Sequence, residues 1–365
     1  RRNENSYYAT TSARVMWLTT QGSTSNWLNS LELNYTNSFS LTVGRDAELI
    51  TAVQSNVTPS QGYYCRLPEL FNATEDNDYK TSIKPSQRII EISESQTNCV
   101  VSSNAGNVIV SYAPSGLSNY MSGDLRLSAV WSRDELTVNS NRVEKQEIAK
   151  YNTRFVRLYR RTLVYLRLAE ALNLAGQPRL AYKILERGLT NRVIADEVNP
   201  YLSESDSTWV ANNVNFPSNF YETMDVSEYS QRIYSTTLNT LGIHSRGSGY
   251  TPLNEYYTLD LEEVGPYVLD LADSTYFFDS ATYEEVKQRQ MAQVDSLLLN
   301  EEALELCFEG YRYYDLMRFA MRSENPGQFL TERINKRNGS DSSEGIDLTN
   351  RQNWYLRWGN GKIGY

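Results

Sequence analysis

Residues 298–319 read Leu298-Leu299-Asn300-Glu301-Glu302-Ala303-Leu304-Glu305-Leu306-Cys307-Phe308-Glu309-Gly310-Tyr311-Arg312-Tyr313-Tyr314-Asp315-Leu316-Met317-Arg318-Phe319. Leu304, Cys307, Phe308, Tyr311, Tyr314, Met317 and, just beyond, Met321 recur at steps of three and four, the spacing of one helix face laid on a core. The stretch therefore predicts a single helix. Along it Glu309, Arg312, Asp315 and Arg318 alternate in sign three residues apart, so each is placed to pair with the next. Three residues fall about 60° short of a full turn, so this series winds around the helix and carries some of its charges towards the packed side. Gly310, in an otherwise strong helix former, is expected to mark a close approach of another element to the backbone.

The bulk of the chain bounds what those helices can serve. Its 365 residues suffice for a large core, and 40% hydrophobic with 12% aromatic content makes it globular. A net charge of −9 argues against a nucleic-acid partner and against attraction to an anionic membrane surface, since both rely on basic patches. No apolar run approaches the roughly 20 residues that cross a bilayer. The start, Arg1-Arg2-Asn3-Glu4, has neither an apolar leader core nor a lipidated first Cys. Cys65, Cys99 and Cys307 are odd in number and lack metal-ligand spacing, and Cys307 has the setting of a small core residue. Tyrosine is abundant at 27 residues, alongside many Asn, Ser and Thr, a mix suited to polar surfaces on which flat ligands stack.

Towards the N-terminus, residues 6–34 predict a helical hairpin with its turn at Gln21-Gly22-Ser23. From 36 to 150 short apolar segments such as Ile89-Ile90-Glu91-Ile92 and Val108-Ile109-Val110 are separated by Gly, Pro, Asn and Ser, the pattern of loops with a few strands. Residues 153–190 predict a second hairpin: a helix from Thr153 to Ala175, apolar nearly all round, a stop at Gly176-Gln177-Pro178, and a partner helix from Arg179 to Gly188. The small residues Ala169, Gly176, Ala181 and Gly188 fall where a tetratricopeptide hairpin needs close approach. Residues 196–282 form a second loop-rich region whose aromatic content argues for function over disorder. Helices are expected again over 283–322, then a surface loop over 335–350.

Glu305, Leu306, Glu309, Gly310, Arg312, Asp315, Leu316 and Arg318 together resemble the Glu-Leu-x-x-Glu-Gly-x-Arg-x-x-Asp-Leu-x-Arg signature of the SusD/RagB family. Tyr165-Leu166-Arg167-Leu168-Ala169-Glu170-Ala171-Leu172-Asn173, Gly123-Asp124-Leu125-Arg126 and Asn353-Trp354-Tyr355-Leu356 resemble the same family in the same order. The ending Trp358-Gly359-Asn360-Gly361 departs from the Pro-rich form usual there. The resemblance implies one SusD-like domain over 1–365: mainly α-helical, with tetratricopeptide-like hairpins as scaffold and a loop-rich region for ligand. It further implies a surface-exposed outer-membrane lipoprotein of Bacteroidetes that binds oligosaccharide or polysaccharide and passes it to a SusC-like TonB-dependent transporter. Part of the family binds peptides instead. Against the usual family sequence, the lipid-anchored start and first repeat helices are expected to precede Arg1.

Catalytic chemistry finds little support. A lone His244, within Gly242-Ile-His-Ser-Arg-Gly-Ser-Gly249, offers no metal cluster, and its loop lacks the strand-before, helix-after context of a phosphate cradle. Glu75-Asp76-Asn77-Asp78 lacks the glycine and distal Glu of a Ca²⁺ loop and reads as a solvated turn. Among 44 acidic residues some carboxylate pair could flank a glycosidic bond, which keeps an all-helical glycosidase as a rival reading. No catalytic residue, metal or cofactor is assigned. Sugar binding needs an aromatic face against the C–H face of a pyranose, with amide or charged groups at the hydroxyls. Candidates are Tyr112, Tyr120 and Trp131, which bracket Asp124 and Arg126, and Trp209 and Tyr250 in the long insertion.

Overall fold

The computed structural model describes residues 49–54, 67–81, 83–95, 99–104, 107–112, 124–148, 150, 155–186, 188–189, 193–214, 243–244, 267–270, 275–278, 280–339, 345 and 347–355. In chain order these form β1 (Leu49–Gln54), α1 (Leu67–Phe71), α2 (Gln87–Glu94), β2 (Cys99–Asn104), β3 (Asn107–Tyr112), α3 (Leu125–Val130), β4 (Trp131–Val138), β5 (Asn141–Ile148) and β6 (Phe155–Arg160). Then follow α4 (Arg161–Leu174), α5 (Pro178–Glu186), α6 (Glu204–Asn213), β7 (Tyr267–Asp270), β8 (Thr275–Phe278), α7 (Ser280–Glu305), α8 (Arg312–Ala320) and α9 (Pro326–Asn335). The described residues are mainly helical, as expected. The expected hairpin over 6–34 and most of the loop-rich stretch 196–282 lie outside them.

Helix ends follow local chemistry. Ser86, Asp124 and Ser203 each accept a backbone N–H at the start of α2, α3 and α6. Pro178 opens α5 and Pro326 stands in the first turn of α9, positions where a missing N–H goes unmissed. Gly176, at φ 76°, takes the left-handed turn after α4, and the N–H of Gln177 reaches back to the carbonyl of Leu172 at 2.8 Å.

The sheets are four separate antiparallel pairs, β1 with β6, β2 with β3, β4 with β5 and β7 with β8. Asn139 (φ 48°) and Ser140 (φ 68°) close β4 onto β5 in a two-residue turn with both residues left-handed, which matches the twist of a hairpin. β6 corrects the sequence expectation. Residues 155–160 pair with β1 before the helix starts at Arg161, and the β-branched and aromatic residues Phe155, Val156 and Tyr159 suit the strand. Ile89-Ile90-Glu91-Ile92 corrects it in the other direction, since Ser86 caps the segment as helix α2.

The core lies where α4, α5, α7, α8 and α9 meet. Leu166, Ala169, Leu180, Leu185, Val294, Leu298, Phe319, Ala320 and Leu330 are all buried there. α7 is 26 residues long, roughly 39 Å at 1.5 Å per residue. Up to Leu298 it buries Tyr283, Val286, Gln290, Val294 and Leu298 at helical spacing, whereas every residue from Glu301 to Glu305 is buried.

The opening stretch is two helices. α7 ends at Glu305 and α8 starts at Arg312, and between them Phe308 (φ 63°) and Gly310 (φ 83°) take left-handed conformations. A Cβ at Gly310 would meet nothing within 4 Å, so the glycine serves backbone conformation and not the expected close approach. Close approach occurs instead at Gly327 in α9, where a Cβ would come within 2.5 Å of the Thr349 Cα. Residues 347–350 of the expected surface loop 335–350 are thus pinned against α9, with Leu348 buried and Trp354 Nε1 donating to its carbonyl at 2.6 Å.

Candidate functional site

Glu301, Glu302 and Glu305 bury three carboxylates in the last turn of α7, the negative end of the helix dipole, where like charge is unfavourable. Cations from distant segments compensate. Arg126, fully buried at the start of α3, binds Asp124 (2.7 Å), Glu301 (2.9 Å) and Glu305 (3.2 Å). Arg160, the last residue of β6, binds Glu305 at 2.8 Å and Glu309 at 2.8 Å. Lys150 binds Glu309 at 2.6 Å and donates to the carbonyls of Glu305 (2.9 Å) and Cys307 (3.1 Å), and Arg160 donates to the Glu305 carbonyl at 2.7 Å. The open end of α7 is therefore capped by side-chain cations. His244 is fully buried, with Nδ1 against Glu301. Burial pushes the Glu301 carboxyl up, but Arg126 and His244 outweigh it and hold it at about 2.

A second group sits between α4 and α8. Asp315 binds Arg167 at 2.5 Å and Arg318 at 2.9 Å, and Glu302 meets both of the same arginines. Glu170 binds Arg318 at 2.9 Å and Arg322 at 2.5 Å. Glu302 Oε2 and Asp315 Oδ2 are buried without a hydrogen-bond partner. Burial and the neighbouring Asp315 push the Glu302 carboxyl from the ordinary 4.5 up to about 8, so it holds a proton at neutral pH. Of the sequence-expected ladder only Asp315–Arg318 forms. Glu309 lies within the break, and Arg312 turns back to donate to the Leu299 carbonyl at 2.6 Å. These charges join α3, β6, α4, α7 and α8, so they are scaffold.

The aromatic candidates fare differently from one another. Tyr120 and Tyr250 lie outside the described residues, and Tyr112 is described by its backbone alone, paired with Cys99 at the end of β3. Trp131 stands at the α3–β4 junction, partly buried, and its indole Nε1 has no protein partner. Trp209, on α6, packs against the core. No ring contact joins Trp131 and Trp209 among the described residues. The Glu75–Asp78 segment is a short 3-10 turn capped by Thr74.

A cavity of about 210 Å³ opens between α2, α9 and the α7–α8 break. Ile89, Ile92, Ala303, Phe308, Leu316 and Ile334 supply its apolar lining, and among the described residues the charged ones that line it are Arg88, Arg312, Arg333 and Arg337. Sequence reasoning missed it, because Arg88 falls in a segment read as loop and strand, and Arg333 and Arg337 lie at a helix end with no pattern of their own. Burial drives the Arg312 guanidinium down to about 10, and neighbouring Arg333 and Arg88 act the same way against Glu302 and Asp315.

The geometry defines a mainly helical protein whose long central helix is locked by buried ion pairs and whose described residues hold no group of metal-ligating side chains. Residues 275–358 match the model of the SusD family, so that segment of the chain is similar to SusD/RagB proteins. The matched segment runs from β8 through α7, α8 and α9 to Trp354. At family level that match supports binding of nutrients or glycans. No curated protein and no solved structure matches the chain.

Proposed function

We propose that this chain captures oligosaccharide at the cell surface and hands it, uncut, to a SusC-like TonB-dependent outer-membrane transporter. The observation that carries the reading is the SusD-family segment at 275–358, whose α7–α8 break is the meeting point of the buried cations Arg126, Lys150 and Arg160. A helical frame so locked would hold loops in place for stacking and hydrogen bonding to sugar. Trp131, partly buried at the α3–β4 junction, is the first aromatic put forward for that role, and Tyr112, Tyr120, Trp209 and Tyr250 complete the proposed set. A lipid anchor of the kind usual in the family would hold the protein on the outer surface. Hairpins of tetratricopeptide kind over 6–34 and 153–190 would form the rest of the scaffold.

Native affinity electrophoresis through gels carrying plant, host and microbial polysaccharides tests this. Retardation by one glycan without release of reducing ends is the expected result. Release of reducing ends would overturn it in favour of a glycosidase, and retention lost to oligopeptides but not to glycans would make the cargo peptide.

A further inference from the structure

The four arginines that line the cavity beside the α7–α8 break stand apart from the rest of the molecule, which carries 44 acidic against 35 basic residues. The buried Arg126, Lys150 and Arg160 meet carboxylates at short range, whereas Arg312 makes one hydrogen bond, to the Leu299 carbonyl, and no ion pair among the described residues. Arg88 reaches Glu91 at 3.3 Å across an exposed surface, and Arg333 lies with its guanidinium 4.4 Å from the Phe329 ring centroid. Like charges gathered over an apolar surface repel each other and focus a positive field into the space between them. Burial and Arg88 together push the Arg333 guanidinium down, so this repulsion reaches a second member of the cluster.

We propose that this cavity binds a small organic oxyanion, a carboxylate or phosphate monoester whose apolar ring or chain lies against Ile89, Leu316 and Ile334 while its oxygens meet the arginines. Planar guanidinium groups take carboxylate and phosphate oxygens two at a time, which a point charge does not. The size follows from the volume: 210 Å³ exceeds the roughly 150 Å³ of a cavity that holds one benzene, so a single ring has room. This site is separate from glycan capture, and the inference stands or falls without it.

Calorimetric titration of the full 365-residue chain at low ionic strength, with benzoate, phenyl phosphate, inorganic phosphate and benzyl alcohol as probes, tests it. At least one of benzoate and phenyl phosphate should bind about tenfold or more tightly than benzyl alcohol, and added salt should weaken it. Which of the two binds more tightly distinguishes a carboxylate from a phosphate ligand. Inorganic phosphate alone should bind more weakly than the better of the two. Absence of binding by both, or equal binding of benzyl alcohol, would overturn the proposal, and inorganic phosphate binding as well as either would remove the apolar part of it. The double variant Arg333→Gln with Arg337→Gln should weaken the better anion about tenfold. Ile334→Trp, which fills the cavity and keeps every charge, should abolish binding, and undiminished affinity in both variants would place the anion elsewhere.

Discussion

Arg126 has no access to solvent, and it is tolerated because Asp124, Glu301 and Glu305 surround it. Its raised affinity for a proton reflects those three carboxylates overcoming burial. Arg126→Leu would strand them, so unfolding in denaturant should show a loss of about 3–5 kcal/mol. Asp315→Ala is expected to cost less, because Arg167 and Arg318 both keep Glu170 and are partly exposed, at 26% and 35%. Glu302 carries the pH dependence. Its folded carboxyl titrates at about 8 and its unfolded one near 4.5, so the folded form holds the proton more tightly. That contribution is complete below the unfolded value and is lost as pH rises through about 8. Glu302→Gln should therefore flatten the fall in stability between about pH 5 and about pH 9, measured as unfolding free energy across that range.

Between α7 and α8 a six-residue run, Leu306–Tyr311, replaces what periodicity reads as continuous helix. The apolar spacing of Leu304, Cys307 and Phe308 survives a turn as well as a helix, so the pattern is blind to the break; Gly310 is its one visible sign. Gly310→Ala forces a side chain to φ 83° with open space around it and should cost about 1 kcal/mol. Gly327→Ala drives a Cβ against the Thr349 backbone and should cost more, with thermal melting ranking the two. Strand β6 was illegible for a related reason. Its partner β1 lies about a hundred residues away in sequence, and only that pairing decides strand over helix for Phe155–Arg160.

Across the whole molecule, scaffold and ligand surface should separate under mutation. Trp131→Ala removes a ring that is only partly buried, so melting should change little while retention by a glycan-bearing gel falls; unfolding instead would assign Trp131 to packing. The mainly helical class, the α4–α5 hairpin and the family segment were all legible in residues 153–190 and 305–318, because helix periodicity, Gly and Pro stops and a charged signature are local properties of the chain. What those charges bind was not. Glu309 meets Lys150 and Arg160 from roughly 150 positions away, and Arg312 turns from its sequence neighbour Asp315 to a helix carbonyl. The cavity gathers Arg88 with Arg312, Arg333 and Arg337 in the same way. By itself the sequence determined that the chain is mainly helical and that its charged stretch must be neutralised, since both follow from near neighbours. Only the tertiary structure decided the partners, because burial raises the cost of an unpaired charge and long-range packing selects which opposite charge is within reach.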